Sequence, residues 1–155
     1  MPESLRTRLA RIVYTHFFPA YRGTGGRITY IAGDWREVRV AVPLSRRTRN
    51  YVGTIFGGSM YGAVDPIYMV MLIKALGPGY VVWDKSATIR FRKPGRTTLH
   101  ARCVLDDAEL DAIRDALKTG RAIDRTYLIE LKAADGTVHA EVEKVIHIRP
   151  RRRKT

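Results

Sequence analysis

The sequence predicts an α+β fold in which an antiparallel sheet of about six strands wraps one central helix. Two observations predict it: an apolar helical segment lies early in the chain, and the later segments alternate apolar with polar residues between glycine- and proline-containing turns. At 155 residues the chain is long enough for one filled core and too short for two domains of ordinary size. We therefore expect one domain over residues 1–155.

The first segment, residues 1–21, is predicted to contain an amphipathic helix. Apolar residues recur at three- and four-residue spacings from Leu5 to Phe17, and we expect the arginines to lie opposite them. Pro19 is expected to end this helix or nearly so.

Two short strands follow the N-terminal helix. Residues 27–31 are β-branched and aromatic, and from Glu37 three valines alternate with other residues until Pro43. Gly33 and Asp34 lie between these strands, so we expect a hairpin.

The central helix is predicted between the glycine pair Gly57-Gly58 and the sequence Gly77-Pro78-Gly79. Its residues from Ile67 onward are apolar on nearly every side, which is typical of a buried helix.

Four further strands are predicted after the central helix. Residues 81–92 alternate as a long strand, and the turn at Pro94-Gly95 suggests a hairpin with residues 97–104. Residues 126–133 and 138–148 flank Asp135-Gly136, a strong hairpin signal. Between the two pairs, Asp106 begins a sequence with the spacing of an N-terminal capping box, which predicts a surface helix.

One motif carries most of the functional information. Asn50 precedes Gly57-Gly58 by seven residues, and Asp65 follows Gly58 by seven. This spacing resembles the signature of phenylacetyl-CoA-type thioesterases of the hotdog-fold superfamily. Later blocks, such as the one beginning at Val82-Trp83, resemble a poorly characterised thioesterase-like branch, a domain of unknown function.

The resemblance implies a hotdog fold and hydrolysis of an acyl-CoA thioester in a groove between two subunits. Asp65 would activate water or attack the thioester carbonyl, the Gly58 amide would polarise that carbonyl, and Asn50 would position substrate or water. A helix N-terminus supports this chemistry, because its unpaired N–H groups can stabilise a developing oxyanion.

Four other residues are implied to bind substrate. Gly57 and Ser59 would lie beside the thioester. Arg92 and Arg96 lie near a strand end where related proteins often meet coenzyme A, and arginine suits bidentate phosphate binding.

The sequence departs from the catalytic pattern at two positions. Phe56 stands where that pattern has a histidine. Pro66 allows Asp65 to be a helix cap instead of a catalytic carboxylate, or else the helix runs on from Gly58. Asn50 could likewise cap a turn. The alternative function is non-catalytic binding of acyl-CoA or lipid.

The net charge of +13 predicts an anionic partner: a polyphosphate such as coenzyme A, a membrane surface or a nucleic acid. Nucleic acid is disfavoured, because no recognised motif or aromatic-basic interleaving is present. The densest cluster of basic residues lies in a predicted tail, residues 149–155. No apolar stretch is long enough to predict a membrane span.

No metal or resident cofactor is predicted; coenzyme A enters only as part of the substrate. Cys103 is the only cysteine, and the four histidines lack metal-ligand spacing. One cysteine and no signal-like N-terminus favour the cytoplasm. Since a hotdog monomer leaves a sheet edge exposed, we expect a homo-oligomer, a dimer or a tetramer.

Overall fold

The structure is a computed structural model that describes residues 1–151. The helices are α1 (Leu5–Ile12), α2 (Pro19–Thr24), α3 (Gly57–Val64), α4 (Ile67–Leu76) and α5 (Asp107–Leu117), with a π-helical turn at Val13–Phe17. The strands are β1 (Arg27–Ile31), β2 (Glu37–Val42), β3 (Tyr80–Phe91), β4 (Leu99–Val104), β5 (Ile123–Lys132) and β6 (Val138–Pro150).

The six strands form one antiparallel sheet in the order β1-β2-β4-β5-β6-β3. Helices α3 and α4 pack in sequence on one face of it and fill the core. Met71 and Leu72 of α4 are fully buried together with inward residues of the strands, such as Val42, Leu99 and Ile146. The predicted arrangement, a sheet around a central helix, is confirmed.

Strand periodicity placed the core residues correctly. In β4, Leu99, Ala101 and Cys103 point inward and are buried, whereas the residues between them are exposed. The hairpin at Asp135-Gly136 also forms, and the φ of +85° at Gly136 explains why glycine is required there.

The predicted hairpin between β3 and β4 is wrong. β3 pairs with β6 at one edge of the sheet, and β4 lies between β2 and β5. Gly95 is buried, and a Cβ there would lie 2.9 Å from the Met60 side chain, so the segment crosses beside the central helix instead of turning back on itself. Turn residues indicate a change of direction but do not identify the partner strand.

Both long predicted helices are interrupted. The first helical segment ends at Phe17, close to Pro19 as expected, because the backbone of Phe18 is extended; Pro19 then also begins α2. Thr7 and Thr15 face the protein, and Ala10 and Tyr14 pack against the core. The larger number of apolar side chains faces outward: Leu5, Leu9, Ile12, Val13 and Phe17.

The predicted basic tail begins later than residue 149. Arg149 and Pro150 belong to β6, and the Arg151 amide donates to the Gly79 carbonyl. The remainder of that prediction, residues 152–155, lies outside the described residues. Within residues 1–151, no helix combines the length and the apolar character needed to cross a membrane.

The inside and outside of the sheet can be tested with two matched substitutions. Ile146→Ala on β6 removes a fully buried side chain and should cost about 2–5 kcal/mol of unfolding free energy. Leu128→Ala on β5 removes a side chain that is 61% exposed and should cost less than about 0.5 kcal/mol. Urea unfolding of both variants measures the difference, and equal losses would contradict the assigned faces.

Candidate functional site

The start of the central helix presents two unbonded amides. Phe56 is the N-cap of α3 and makes no side-chain cap, while its carbonyl accepts hydrogen bonds from the Ser59 and Met60 amides. Within residues 1–151 the Gly57 and Gly58 amides donate no hydrogen bond. Gly58 is exposed at the positive end of the helix dipole, where an oxyanion is stabilised.

Two aromatic rings lie against this glycine pair. A Cβ added at Gly57 would lie 2.6 Å from Phe91 Cζ, and one added at Gly58 would overlap the ring of Phe56. Each ring is 56% exposed. Glycine is therefore needed here for close packing of the rings, and a ligand that reaches the Gly58 amide must pass beside Phe56.

Asp65 lies where the central helix is interrupted. Its backbone is helical, with φ −49° and ψ −53°, and its amide donates to the Tyr61 carbonyl. An N-cap residue would have an extended backbone, so the capping interpretation of Asp65 is wrong. The helix runs from Gly57 to Val64 and resumes at Ile67 after Pro66.

The Asp65 carboxylate belongs to a cluster of charged groups around a buried lysine. Lys144 Nζ lies 2.5 Å from Asp65 Oδ1 and 3.0 Å from Asp84 Oδ1. The hydroxyl of Tyr61, one helical turn before Asp65, donates to the same Asp65 Oδ1 at 2.5 Å. The Lys144 side chain is only 1% exposed. The cluster thus joins α3, β3 and β6.

Burial alone lowers the pKa of Lys144, but the contacts with Asp65 and Asp84 raise it, and the net pKa is raised. Lys144 therefore remains a cation. Burial raises the pKa of Asp84, and the nearby Asp65 charge adds to that rise although Lys144 opposes it. Asp84 Oδ1 is buried and makes no hydrogen bond of good geometry, so its contact with Lys144 is an ion pair.

Sequence reasoning missed Lys144. The signal was its position in β6, where inward residues alternate as Ala140, Val142, Lys144, Ile146 and Ile148. A lysine in such a series is buried, and a buried lysine needs anionic partners.

Asp84 and Lys85 are neighbours in β3, but their side chains have different partners. A bulge in β3 between Asp84 and Ser86 separates the two side chains. Lys85 turns to Asp124 at 2.5 Å, and Asp84 turns to Lys144.

Asp65 also borders an apolar cavity of about 490 Å³. Its walls come from the N-terminal helical segment, β1, β2 and α4, and they include Tyr14, Phe18, Ile31, Trp35, Ile67 and Val70. Lys144 and Tyr61 both bind Oδ1 of Asp65, and Oδ2 accepts no hydrogen bond from the described part of the chain. Asp65, whose carboxylate has one unbonded oxygen, thus lines a pocket large enough for a hydrocarbon chain.

The Asn50 side chain is fully engaged in its own turn. Its Oδ1 accepts hydrogen bonds from the Val52 and Thr54 amides, and its Nδ2 donates to Thr54 Oγ1 at 2.9 Å. The structure therefore shows Asn50 as the residue that holds this turn, the alternative that the sequence left open. Its predicted role toward substrate stays a prediction.

The other predicted substrate-binding residues do not converge on Asp65. Ser59 is buried, 5% exposed, in the first turn of α3. Arg92 is exposed and donates to Glu141 at 2.7 Å. Arg96 is exposed, and no ion pair to it occurs among residues 1–151. In the same range, no cluster of three or more histidine, cysteine or acidic residues could hold a metal ion.

Gly58 and Asp65 of one chain are far apart. Seven residues at about 1.5 Å rise separate them by roughly 10 Å along the helix. A general base must reach its proton directly or through one water. Gly58 and Asp65 of the same chain therefore do not flank one thioester carbonyl.

Residues 6–148 match the family described as a domain of unknown function, DUF4442. The chain belongs to this family. No curated protein is similar enough in sequence to match it.

Solved structures with the same fold support the resemblance found in the sequence. PA5026 from Pseudomonas aeruginosa, described as a protein of unknown function and probable thioesterase, is 19% identical with a TM-score of 0.81, covering 97% of this chain and 99% of that one. Thioesterase HI1161 from Haemophilus influenzae is 14% identical with a TM-score of 0.68, covering 97% and 93%. The fold of this DUF4442 protein is therefore the expected hotdog fold.

The buried cluster predicts an asymmetry between two lysines. Lys144→Met leaves Asp65 and Asp84 without their buried counter-charge and should cost about 3–5 kcal/mol of unfolding free energy. Lys85→Met breaks the exposed pair with Asp124 and should cost at most about 1 kcal/mol. Chemical denaturation at neutral pH compares them.

The loss in Lys144→Met should also depend on pH. Without the lysine, the pKa of Asp84, which burial already raises, rises further, so the folded state binds that proton more tightly. The deficit should be small near the unfolded carboxylate pKa of about 4 and grow as pH rises above it. A pH-independent deficit would mean that lost packing, not charge, causes it.

Proposed function

We propose that this protein hydrolyses an acyl thioester, such as an acyl-CoA, with Asp65 as general base or nucleophile. The observation that carries the proposal is the position of Asp65: the residue lines an apolar cavity of about 490 Å³, and its carboxylate is bonded through Oδ1 only. An acyl chain would occupy the cavity, with its carbonyl carbon at the Asp65 end. The thioesterase fold relatives are consistent with this activity.

In the proposed reaction, Asp65 Oδ2 accepts a proton from a water molecule while the water oxygen attacks the thioester carbonyl. The carbonyl oxygen becomes negative and accepts a hydrogen bond from the Gly58 amide. Collapse of this intermediate breaks the carbon–sulfur bond. The thiolate takes up the proton that Asp65 received from water, and it leaves as the free thiol. Direct attack by Asp65 on the carbonyl is the alternative first step.

Lys144 and Tyr61 would position the carboxylate. Both bind Oδ1, so they limit rotation of the Asp65 side chain and leave Oδ2 without a hydrogen bond from residues 1–151. Lys144 stays protonated because its net pKa is raised, so it serves as a fixed counter-charge instead of a nucleophile.

The complete site would require two subunits. Because Gly58 and Asp65 of one chain are roughly 10 Å apart, we assign the two groups at each carbonyl to different chains. The edge strand β3 supports this assignment: it is 12 residues long and is paired on only one side, with β6. Pairing of β3 with a second copy would cover that edge and bring the two central helices together.

Non-catalytic binding of an acyl-CoA or lipid is the second candidate, and two observations favour it. Lys144 and Tyr61 both occupy Asp65 Oδ1, so this oxygen is not free to accept a proton from water. Phe56 supplies no hydrogen-bond donor beside Gly58. Both candidates use the same apolar cavity, so turnover separates them.

Thiol release from acyl-CoA substrates tests the proposed chemistry. Asp65→Asn keeps the size of the side chain but removes its basicity, and we expect kcat to fall about 10²–10⁴-fold. Asp111→Asn on the surface of α5 is the matched control and should leave kcat unchanged. Binding of acyl-CoA by the parent protein without any thiol release would favour the second candidate, and full activity of Asp65→Asn would exclude the proposed base.

Mixing two inactive variants tests the shared site. Gly58→Ala places a methyl group against the Phe56 ring and obstructs the amide, so it should be inactive alone, as should Asp65→Asn. In a mixed dimer one of the two sites carries neither change. Random mixing in equal amounts should therefore restore about a quarter of the parent activity. Complete absence of restoration, with subunit exchange verified by mass spectrometry, would place both groups in one chain.

A further inference from the structure

The N-terminal helical segment carries an apolar face that no other part of residues 1–151 covers. This face, termed here the N-terminal apolar face, consists of five side chains that are 38–84% exposed: Leu5, Leu9, Ile12, Val13 and Phe17. The opposite side of the segment is held by the protein. Thr7 and Thr15 are buried there, and Thr15 Oγ1 accepts a hydrogen bond from the Ile28 amide. The segment is therefore fixed with its apolar side outward.

Two arginines border this face. At 100° per residue, Arg6 and Arg8 lie on either side of the stripe formed by Leu5 and Leu9. Neither arginine forms an ion pair within residues 1–151, whereas Arg11 on the protein side pairs with Glu3 at 2.9 Å. The expectation that the arginines lie opposite the apolar residues therefore fails for Arg6 and Arg8.

A cationic cleft continues the surface at the end of the π-helical turn. Its volume is about 470 Å³, and no acidic residue lines it. Its basic side chains, termed here the arginine cleft, are His16, Arg22, Arg27, Arg46 and Arg47. The four arginines form no ion pair in the described part of the chain. Because His16 lies between Val13 and Phe17 in sequence, the cleft adjoins the N-terminal apolar face.

We propose that the N-terminal apolar face and the arginine cleft together dock the protein on an anionic lipid surface. An amphipathic helix with apolar side chains bordered by arginines is suited to the boundary between headgroups and acyl chains. The cleft would take headgroup phosphates, for which the planar guanidinium group is the preferred partner. This surface is separate from Asp65, so the inference does not rest on the proposed thioesterase activity.

Charge favours a lipid surface over a second copy of the chain. The net charge is +13, and a second copy would place Arg6 and Arg8 against arginines of the same kind. A soluble phosphate would satisfy the arginine cleft but leave the five apolar side chains in water. An anionic bilayer satisfies both parts of the surface at once. Its acyl chains take the apolar side chains out of water, and its charged headgroups attract each nearby basic residue.

Co-sedimentation with vesicles tests the proposal. The parent protein should bind vesicles of phosphatidylcholine mixed with phosphatidylglycerol, should bind pure phosphatidylcholine at least about tenfold more weakly, and should lose affinity at high salt. Leu9→Glu and Val13→Glu each replace an exposed side chain of the apolar face and should lower the partition coefficient about tenfold or more. The double variant Arg46→Glu, Arg47→Glu should lower the partition coefficient by a similar factor, because it removes two cations that would bind headgroup phosphates.

Matched controls keep the test specific. Leu128→Glu changes an equally exposed leucine on β5, and Arg121→Glu changes an exposed arginine after α5; both should bind like the parent. Circular dichroism and the unfolding midpoint check that each variant is folded. Because the changed side chains project into solvent, the midpoints should not move.

Three results would overturn the proposal. The first is no binding of the parent protein to anionic vesicles. The second is vesicle binding that Leu9→Glu and Val13→Glu leave unchanged, since general charge attraction would then account for it. The third is an oligomer, measured by sedimentation equilibrium, that Leu9→Glu dissociates while vesicles bind neither form; the face would then join copies of the chain.

Discussion

The ion cluster around Lys144 is the interaction on which the site depends. A lysine on the inward face of β6 would be very costly beneath the central helix without anionic partners, and Asp65 and Asp84 supply them at 2.5 and 3.0 Å. The same contacts fix the helix over β3 and β6 and hold one oxygen of Asp65. The side chains that stabilise the fold here are therefore also those that position the candidate catalytic carboxylate, so a substitution in this cluster affects both stability and the site.

The central helix presents different chemical groups at its start and about two turns later. Gly57 and Gly58 leave amides unbonded at the exposed start of α3, and Asp65 borders the apolar cavity about two turns later. Their separation along a rigid helix is too large for one thioester. The proposed site assembled from two chains would resolve this distance, and pairing at the edge strand β3 would bring the two chains together.

The fold was predictable from the sequence because strand periodicity and turn residues are local signals. Val38 to Val42, Leu99 to Cys103 and the turn at Gly136 all lie where their patterns place them. Pairing partners are not local, so the position of β3 at the edge beside β6 was missed. The exposure of Leu5 and Leu9 could not be predicted for a related reason, since amphipathic spacing cannot say whether the apolar side meets the core or an external partner.

The candidate site was only partly predictable. The spacing of Gly58 and Asp65 identified the central helix and its carboxylate, but Lys144 lies 79 residues from Asp65 and joins it only through the sheet. Asparagine serves turns as readily as substrates, and the hydrogen bonds of Asn50 to Thr54 show the turn, while its role toward substrate stays a prediction. Distant residues that meet through tertiary structure leave only indirect signals in a single sequence, such as a charged residue in an apolar alternation.

The most direct test of this account is a crystal structure with a ketone analogue of an acyl-CoA, in which a methylene replaces the sulfur and blocks hydrolysis. We expect the acyl chain in the cavity bordered by Trp35 and Val70, with the carbonyl within one water of Asp65 Oδ2 and Lys144 still bound to Oδ1. The carbonyl oxygen should meet a Gly58 amide from a second chain. An acyl chain bound elsewhere, or a carbonyl remote from Asp65, would contradict the account.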